Sequence, residues 1–91
     1  MNTRVQRTKR FEKDLDKVPE FIRIKVIVWV GLVEAVGVRE VRKRPGYHDE
    51  PLRGWRKGQR SVRLNQAYRL IYREVRDHLE ILLLEVSKHE Y

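Results

Sequence analysis

Cysteine is missing from this sequence, and its absence excludes two kinds of site. The chain can form neither a disulfide framework nor a thiolate metal site, and it is suited to a reducing cytoplasm. Glycine is scarce, and no glycine-rich loop precedes a helix to cradle a phosphate. The histidine, aspartate and glutamate residues show no spacing that indicates a metal site. We therefore expect no metal and no cofactor.

Long apolar runs are lacking as well. The longest stretch, 26–38, is interrupted by Gly31, Glu34 and Gly37 and is shorter than the roughly 18 residues that a membrane span needs. The N-terminus has no apolar segment followed by small residues, so it does not resemble a secretory signal. These absences predict a soluble, cytoplasmic protein with no membrane partner.

What the sequence does have is positive charge. Its 91 residues carry a formal net charge of +8, and they are long enough for one domain, 1–91, with a single modest core. Such a charge suits a nucleic acid, an anionic membrane surface or an acidic protein as partner. The segment from Leu52 to Arg76 contains a single acid, Glu74. It contains eight cations: Arg53, Arg56, Lys57, Arg60, Arg63, Arg69, Arg73 and Arg76.

The N-terminal part of the chain predicts a first amphipathic helix. Thr8 can cap it, and Phe11, Leu15 and Val18 recur at helical spacing. Pro19 ends this helix and, because proline is tolerated at a helix start, can open the next one.

The second segment is ambiguous between helix and strand. Val26 to Val30 has strand propensity, whereas a longer window keeps a helical period. Length favours a helix that is buried on most sides, ends at Gly37 and is followed by a basic connection over 39–47. We expect Trp29 in the core together with the residues that define the period: Phe21, Ile24, Val28, Leu32 and Val36.

We predict three strands after that connection, over 60–65, 67–75 and 79–86. The first two alternate in polarity, so Arg63 and Arg69 lie opposite the apolar positions. The short link at 65–66 predicts an antiparallel hairpin. The third strand is apolar on both faces, which places it in the middle of the sheet. A weak alternation over 3–7 predicts a short edge strand.

The basic strand face and the C-terminal tail contain the groups that RNA cleavage requires. Without a metal, the reaction needs a base for the 2′-hydroxyl proton, cations for the charged phosphorane and an acid for the departing 5′-oxygen. Arginine suits the phosphorane, and histidine is the best proton carrier near neutral pH. If the last strand keeps its pleat, His89 and Tyr91 lie on the side of Leu83 and Glu85. A substrate there would be held by the arginines of the basic face: Arg63, Arg69 and Arg73.

Simpler interpretations of the same residues stay open. A cationic strand face is often only a solvated surface, or it binds an acidic protein. A terminal histidine or tyrosine is often part of a frayed tail. Trp55, between Gly54 and Arg56 in a polar loop, is either a packing anchor or a platform on which a base stacks.

Four segments follow the two N-terminal helices in a familiar order. They are Pro-Gly-Tyr-His-Asp-Glu-Pro-Leu-Arg-Gly (45–54), Arg-Lys-Gly-Gln-Arg-Ser-Val-Arg-Leu-Asn (56–65), Ala-Tyr-Arg-Leu-Ile-Tyr (67–72) and Val-Ser-Lys-His-Glu-Tyr (86–91). Their order and spacing, over nearly the whole chain, resemble the RelE/ParE superfamily of bacterial toxins, and the HigB-type and RelE-type branch most.

The resemblance implies a fold, an activity and two partners. The fold is α+β, with an N-terminal helical hairpin packed on one face of a small twisted antiparallel sheet whose open side receives RNA. The activity is that of a toxin, a metal-independent endoribonuclease that cuts mRNA in the ribosomal decoding site. The first partner is therefore mRNA in the ribosomal decoding site. The second is a cognate antitoxin that holds the toxin inactive, and an acidic segment of the antitoxin would be attracted to the same cations.

The resemblance also implies roles by position. Arg69 matches the family's phosphate-stabilising arginine, and His89 with Tyr91 occupies the acid/base region. Together with Arg60 these residues form the expected catalytic set. The cations expected to bind RNA around it are Arg53, Arg56, Lys57, Arg63 and Arg73.

Three alternatives stay open at this point. Relatives differ in their C-terminal residues, so either His89 or Tyr91 could be the base. ParE-like members share the scaffold but act on DNA gyrase, although they lack the C-terminal constellation. A non-catalytic RNA-binding module would have the same basic face and would lose affinity steeply with salt.

Overall fold

Helices and strands segregate into an α+β arrangement, as predicted. The structure, a computed structural model, describes residues 2–88. Its elements are β1 (Arg4–Arg7), α1 (Lys9–Lys17), α2 (Glu20–Val36), α3 (Val38–Arg42), a 3-10 turn (Pro45–Tyr47), β2 (Glu50–Pro51), a second 3-10 turn (Gly54–Arg56), β3 (Gln59–Arg63), β4 (Tyr68–Glu74) and β5 (Glu80–Lys88).

The strands form one mixed sheet in the order β1-β5-β4-β3-β2. β5 lies between β1 and β4, which confirms that the apolar third strand is inside the sheet. Three neighbouring pairs are antiparallel, but β1 runs parallel to β5, with Val5 opposite Ile81. The sheet therefore differs from the expected antiparallel one in a single pair. That pair is possible because a long crossover, from α1 to β4, separates its two strands.

The start of α1 is fixed by the predicted cap. The Thr8 hydroxyl oxygen accepts a hydrogen bond from the backbone N–H of Phe11 at 3.0 Å, and Thr8 has extended backbone angles. The same hydroxyl lies 3.0 Å from the carbonyl oxygen of Leu83 in β5. Phe11 and Leu15 are buried. The cap thus sets the helix start and ties α1 to the sheet.

The second helix is confirmed, but its buried face was predicted wrongly. Phe21, Ile24 and Val28 are more than half exposed, whereas Trp29 is in the core as expected. Helix α2 is apolar nearly all round, so a period of 3.6 fits more than one face. The face that packs against the sheet consists of Ile22, Val26, Trp29, Val30 and Val33.

The basic connection after α2 is more ordered than expected. Gly37 ends α2 with a positive φ of 93°, a conformation that favours glycine, and α3 begins at the next residue. Val38 and Val41 of α3 are buried, so this short helix completes the core. None of the helices within residues 2–88 has the length and apolar character needed to cross a membrane.

The hairpin of β3 and β4 forms as predicted. In its turn, the Asn65 side-chain oxygen accepts hydrogen bonds from the backbone N–H groups of Ala67 and Tyr68, both at 2.8 Å. The register places Arg63 opposite Arg69. Both cations therefore sit at the same end of the sheet.

A β-bulge in β5 changes which of its side chains point to each face of the sheet. Ile71 pairs with Glu85 and Tyr72 pairs with Leu83, so one extra residue, Leu84, interrupts the register. Leu83 consequently lies in the core, while Glu85 faces the opposite side of the sheet. The prediction that Leu83 and Glu85 share a side is wrong, because it assumed an unbroken pleat.

Candidate nucleic-acid interface

Two cross-strand rows meet on the sheet face that the helices leave open. One row contains Arg63, Arg69 and Ser87, on β3, β4 and β5. The other row contains Glu50, Ser61, Ile71 and Glu85, on β2, β3, β4 and β5. Together with the loop before β3 they line a cavity of about 480 Å³, which we call the open-face pocket: Glu50, Leu52, Arg56, Ser61, Arg63, Arg69, Ile71, Glu85 and Ser87.

Arg63 and Arg69 give the open-face pocket its positive end. They are direct cross-strand neighbours, an arrangement that costs stability because the two charges repel. Within residues 2–88 neither forms an ion pair, and Arg63 forms no hydrogen bond. Arg69 donates through Nη1 to backbone carbonyls of the turn, at 2.7 Å to Asn65 and 3.1 Å to Tyr68. The Arg69 guanidinium group is thus held by the turn, and neither cation is neutralised by a carboxylate within residues 2–88.

A buried ion pair forms another part of the open-face pocket. Arg56 binds the carboxylate of Glu85 through Nη2, and Nη2 of Arg10 lies 3.9 Å from the same carboxylate. Both partners of the first pair are mostly buried. Glu85 is therefore balanced by cations of its own and does not cancel the charge of the Arg63 and Arg69 pair.

Glu85 was missed as a site residue by the sequence reasoning. One signal was available, because Glu85 is the only charged residue in the apolar run 81–86. Strict alternation could not have placed it correctly, since the bulge at Leu84 is what turns Glu85 and Ser87 toward the open face.

The loop between β2 and β3 carries three of the predicted RNA-binding cations. Arg56 lines the open-face pocket, whereas Arg53 and Lys57 are exposed and do not line it. Trp55, in the same loop, is 84% exposed, so it is not a packing anchor. The guanidinium carbon of Arg56 lies 4.8 Å from the Trp55 ring centroid.

Arg60 and Arg73 lie apart from the open-face pocket, and in different ways. Arg73 is exposed on the same side of β4 as Arg69, paired with Gln59, beyond the pocket. Arg60 points to the other side of the sheet, where its Nε donates to Asp49 at 2.6 Å. The expectation that Arg60 gathers with Arg63 and Arg69 is wrong, because residues 60 and 63 have opposite parity on one strand.

Arg60 belongs instead to a balanced ionic cluster, which we call the helix-side network. Its centre is Asp49, whose side chain is 1% exposed. One oxygen of Asp49 binds Arg60, and the other accepts from the Tyr72 hydroxyl at 2.6 Å. Arg42 of α3 donates to the same hydroxyl at 3.0 Å and to Glu74 at 2.5 Å. Two guanidinium groups thus meet two carboxylates.

Tyr72 is the neutral member of the helix-side network. Its ring is fully buried and lies 5.4 Å, between centroids, from the ring of Trp29. Burial, with the nearby negative charge of Asp49, raises the pKa of Tyr72 well above its usual range. The phenol therefore stays protonated and serves as a fixed donor to Asp49.

The two remaining predicted catalytic residues, His89 and Tyr91, lie outside the described residues. Strand β5 is described to Lys88, which pairs with Tyr68. Ser87, two positions before His89, lines the open-face pocket beside Arg69. Among residues 2–88, no group of three or more histidine, aspartate or glutamate side chains could hold a metal ion.

Comparisons with known proteins give structural matches only. No protein-family model matches the sequence, and no curated protein is similar enough in sequence to match it. Several solved structures have the same fold.

Three of these structures are complexes. The DinJ–YafQ toxin–antitoxin complex of E. coli matches with a TM-score of 0.75 and 20% identity, over 98% of this chain and 94% of that one. The archaeal RelE–RelB complex of Pyrococcus horikoshii OT3 matches with a TM-score of 0.74 and 23% identity, over 97% and 96%. The RelBE2 toxin–antitoxin complex of Mycobacterium tuberculosis matches with a TM-score of 0.63 and 25% identity, over 98% and 100%.

Proposed function

We propose that this chain, whose fold is that of the RelE-like toxins, is the toxin of a type II toxin–antitoxin system and cuts mRNA in the ribosomal decoding site. One observation carries the proposal. Arg63 and Arg69 lie side by side in a cavity of about 480 Å³ with no carboxylate bound to either within residues 2–88. Two unneutralised arginines in a recess suit a phosphodiester, because each guanidinium fork can bind two of its oxygens.

The proposed reaction is a transfer within the RNA strand. The 2′-oxygen attacks the adjacent phosphorus, the bond from phosphorus to the 5′-oxygen breaks, and the products are a 2′,3′-cyclic phosphate and a 5′-hydroxyl. One group removes the 2′-hydroxyl proton, and another protonates the departing oxygen. Arg63 and Arg69 would stabilise the extra negative charge on the phosphorane oxygens.

His89 and Tyr91 are the proposed acid and base. The described end of β5 supports this assignment, because Ser87 lies in the open-face pocket beside Arg69. Arg56 would keep Glu85 neutralised, which spares the incoming phosphate a repulsive contact. Arg53, Lys57 and Arg73 are exposed around the pocket and would contact phosphates farther along the strand. Arg60 has no part in the proposed chemistry.

The proposed protein partner is a cognate antitoxin. Two of the similar solved structures are toxin–antitoxin complexes, which supports a partner of this kind. Helix α2 also exposes the apolar side chains of Ile24 and Val28, which line a second cavity of about 450 Å³ together with Lys25, Arg44 and Arg63. Apolar walls with cations at the rim suit a segment that carries apolar anchors flanked by carboxylates.

The decisive experiment is primer extension on a defined mRNA in a reconstituted translation system. The wild-type chain should produce cuts, whereas the double variant Arg69→Ala, Tyr91→Ala should produce none. The same mRNA without ribosomes tests whether the ribosome is required.

Intact transcripts with wild-type protein would contradict the proposal. A supercoiling assay with DNA gyrase on the same preparation covers the alternative target. Inhibition of gyrase with uncut mRNA would move the assignment to a ParE-like toxin. Binding of RNA without cleavage or gyrase inhibition would leave a non-catalytic RNA-binding module.

A further inference from the structure

Trp55 is the most exposed large apolar side chain that the structure describes. It is 84% exposed, whereas the other tryptophan, Trp29, is 1% exposed in the core. Tryptophan is rarely left in water without a partner, because its ring is the largest apolar surface of any side chain. Such exposure makes the ring available to a ligand.

The backbone turn that carries Trp55 is fixed by hydrogen bonds. The loop is closed at its base by a backbone hydrogen bond of 2.9 Å from Leu52 to Gln59. Gly54 adopts a φ of 67°, which permits the tight turn just before the ring. Within the turn, the backbone N–H of Lys57 donates to the carbonyl oxygen of Gly54 at 3.1 Å.

The contacts of Arg56 connect the ring to the open-face pocket. Its guanidinium group stacks on Trp55, at 4.8 Å from the ring centroid, and also binds Glu85 in the pocket. One side of the indole is therefore covered by a cation, and the high exposure leaves the other side open. The flanking residues Arg53 and Lys57 are exposed cations without an ion pair among residues 2–88.

We propose that Trp55 is a stacking platform for a nucleobase of the bound single strand, next to the phosphate held in the open-face pocket. An exposed aromatic face between cations is the arrangement that binds single-stranded nucleic acid, because each base offers a π-face and each phosphate a charge. The inference rests on the proposed function insofar as its ligand is RNA. It adds a subsite for a nucleobase beside a pocket whose proposed ligand is the phosphate backbone of the RNA.

Two kinds of oligomer separate stacking from charge. A deoxythymidine oligomer has bases and phosphates but no 2′-hydroxyl, so the protein cannot cut it during the measurement. An abasic oligomer of the same length keeps the phosphates and lacks the bases. Fluorescence anisotropy of labelled oligomers gives the affinities of the wild-type chain, Trp55→Phe and Trp55→Ala.

We expect Trp55→Ala to bind the thymidine oligomer about 10-fold or more weakly than the wild type, with Trp55→Phe between them. On the abasic oligomer the three proteins should bind alike. The thymidine oligomer should quench the tryptophan fluorescence of the wild type but not that of Trp55→Phe, which keeps only the buried Trp29. Thermal unfolding should be the same for all three, because the Trp55 ring packs on no part of the core.

Several results would overturn the inference. Equal affinity of Trp55→Ala and wild type for the thymidine oligomer would do so, as would an equal loss on the abasic oligomer. Failure of the wild-type chain to bind either oligomer would overturn it as well. The inference can be tested separately from the proposed function. Base-dependent binding at Trp55 without mRNA cleavage supports the subsite alone, whereas mRNA cleavage by the wild type with equal affinities of wild type and Trp55→Ala for the thymidine oligomer removes the subsite alone.

Discussion

Arg60 and Arg63 lie three residues apart on β3, yet the two faces of the sheet give them opposite surroundings. Arg60 binds the buried carboxylate of Asp49 at 2.6 Å, inside a network whose charges balance. Arg63 stands beside Arg69 with no ion pair within residues 2–88. The same type of side chain is therefore part of the fold on one face and, in the proposed function, an anion-binding group on the other.

In the proposed function, this small basic protein keeps the residues that stabilise its fold separate from those that bind RNA. In the helix-side network each charge is paired, because an unpaired buried charge would be very costly. On the open face, the repulsion between Arg63 and Arg69 is tolerated where water, or a phosphate, can reach them. Breaking the helix-side network should therefore affect stability, and removing charge from the open face should affect binding and rate.

The largest effect should come from Asp49→Ala. This change leaves Arg60 and the Tyr72 hydroxyl without their buried acceptor, so we expect a loss of about 3–5 kcal/mol in the free energy of unfolding, measured by urea denaturation. Glu50→Ala is the matched control at the adjacent, exposed acid and should stay within about 0.5 kcal/mol of the wild type. Equal stabilities of the two variants would refute the structural role of the network.

The next largest effect concerns catalysis at Arg69. Arg69→Ala removes one preorganised positive charge that would stabilise the phosphorane. Its rate of mRNA cleavage should therefore be about 100- to 1,000-fold lower. Arg73→Ala removes a cation from the same side of β4 but outside the open-face pocket, so its rate should fall only a few-fold. Because Arg69 also binds the turn, thermal unfolding of Arg69→Ala must be followed in parallel. Similar rates in the two variants would remove the pocket from the mechanism.

Some features of the two faces can be predicted from the sequence, and others cannot. The hairpin of β3 and β4, the Thr8 cap and the end of α2 at Gly37 follow from local signals, and all three are confirmed. The alternation of β3 also predicts that residues 60 and 63 face opposite ways. The catalytic role given to Arg60 came from family position, which overlooked that parity.

Other features could not be read from local patterns. Helix α2 is apolar on most sides, so its rotation is set by packing against the sheet; the prediction chose the stripe that contains Ile24 instead of the face that contains Ile22. The parallel pairing of β1 with β5 joins segments more than 70 residues apart. The bulge at Leu84, which turns Glu85 to the open face, depends on the register with β4.

A smaller effect is expected from Tyr72→Phe, and it should depend on pH. The pKa of Tyr72 is raised on folding, chiefly by burial, so its contribution to stability is fully present below the unfolded value of about 10 and is lost as the pH rises above it. At about pH 8 the variant should be less stable by about 1.5–3 kcal/mol, the contribution of a hydrogen bond to a charged group.

This difference should shrink by about 1.4 kcal/mol for each pH unit above 10, because only the wild type has the Tyr72 phenol to ionise on unfolding. Urea denaturation of both proteins between about pH 8 and pH 11 measures it. A difference that stays constant over this range would contradict the raised pKa.

The smallest effect should appear in the salt dependence of RNA binding. Removing one phosphate contact by Arg73→Gln should reduce the slope of log K against log salt by about 0.7, the value for a single strand. Arg23→Gln, a loss of the same charge from α2, should leave the slope unchanged, because Arg23 is paired with Glu20 on the helix side. Equal slopes for both variants would mean that RNA does not follow the open face past Arg73.

The most direct test is the pair Arg60→Ala and Arg63→Ala, with mRNA cleavage and urea unfolding measured on the same preparations. Arg63→Ala should be at least as stable as the wild type, because it relieves the repulsion with Arg69, and should cut at least 10-fold more slowly. Arg60→Ala should lose stability through its broken contact with Asp49, while its folded fraction cuts at the wild-type rate. A stable Arg60→Ala protein that no longer cuts, or an Arg63→Ala protein that cuts normally, would contradict the assignment of stability to one face and RNA chemistry to the other.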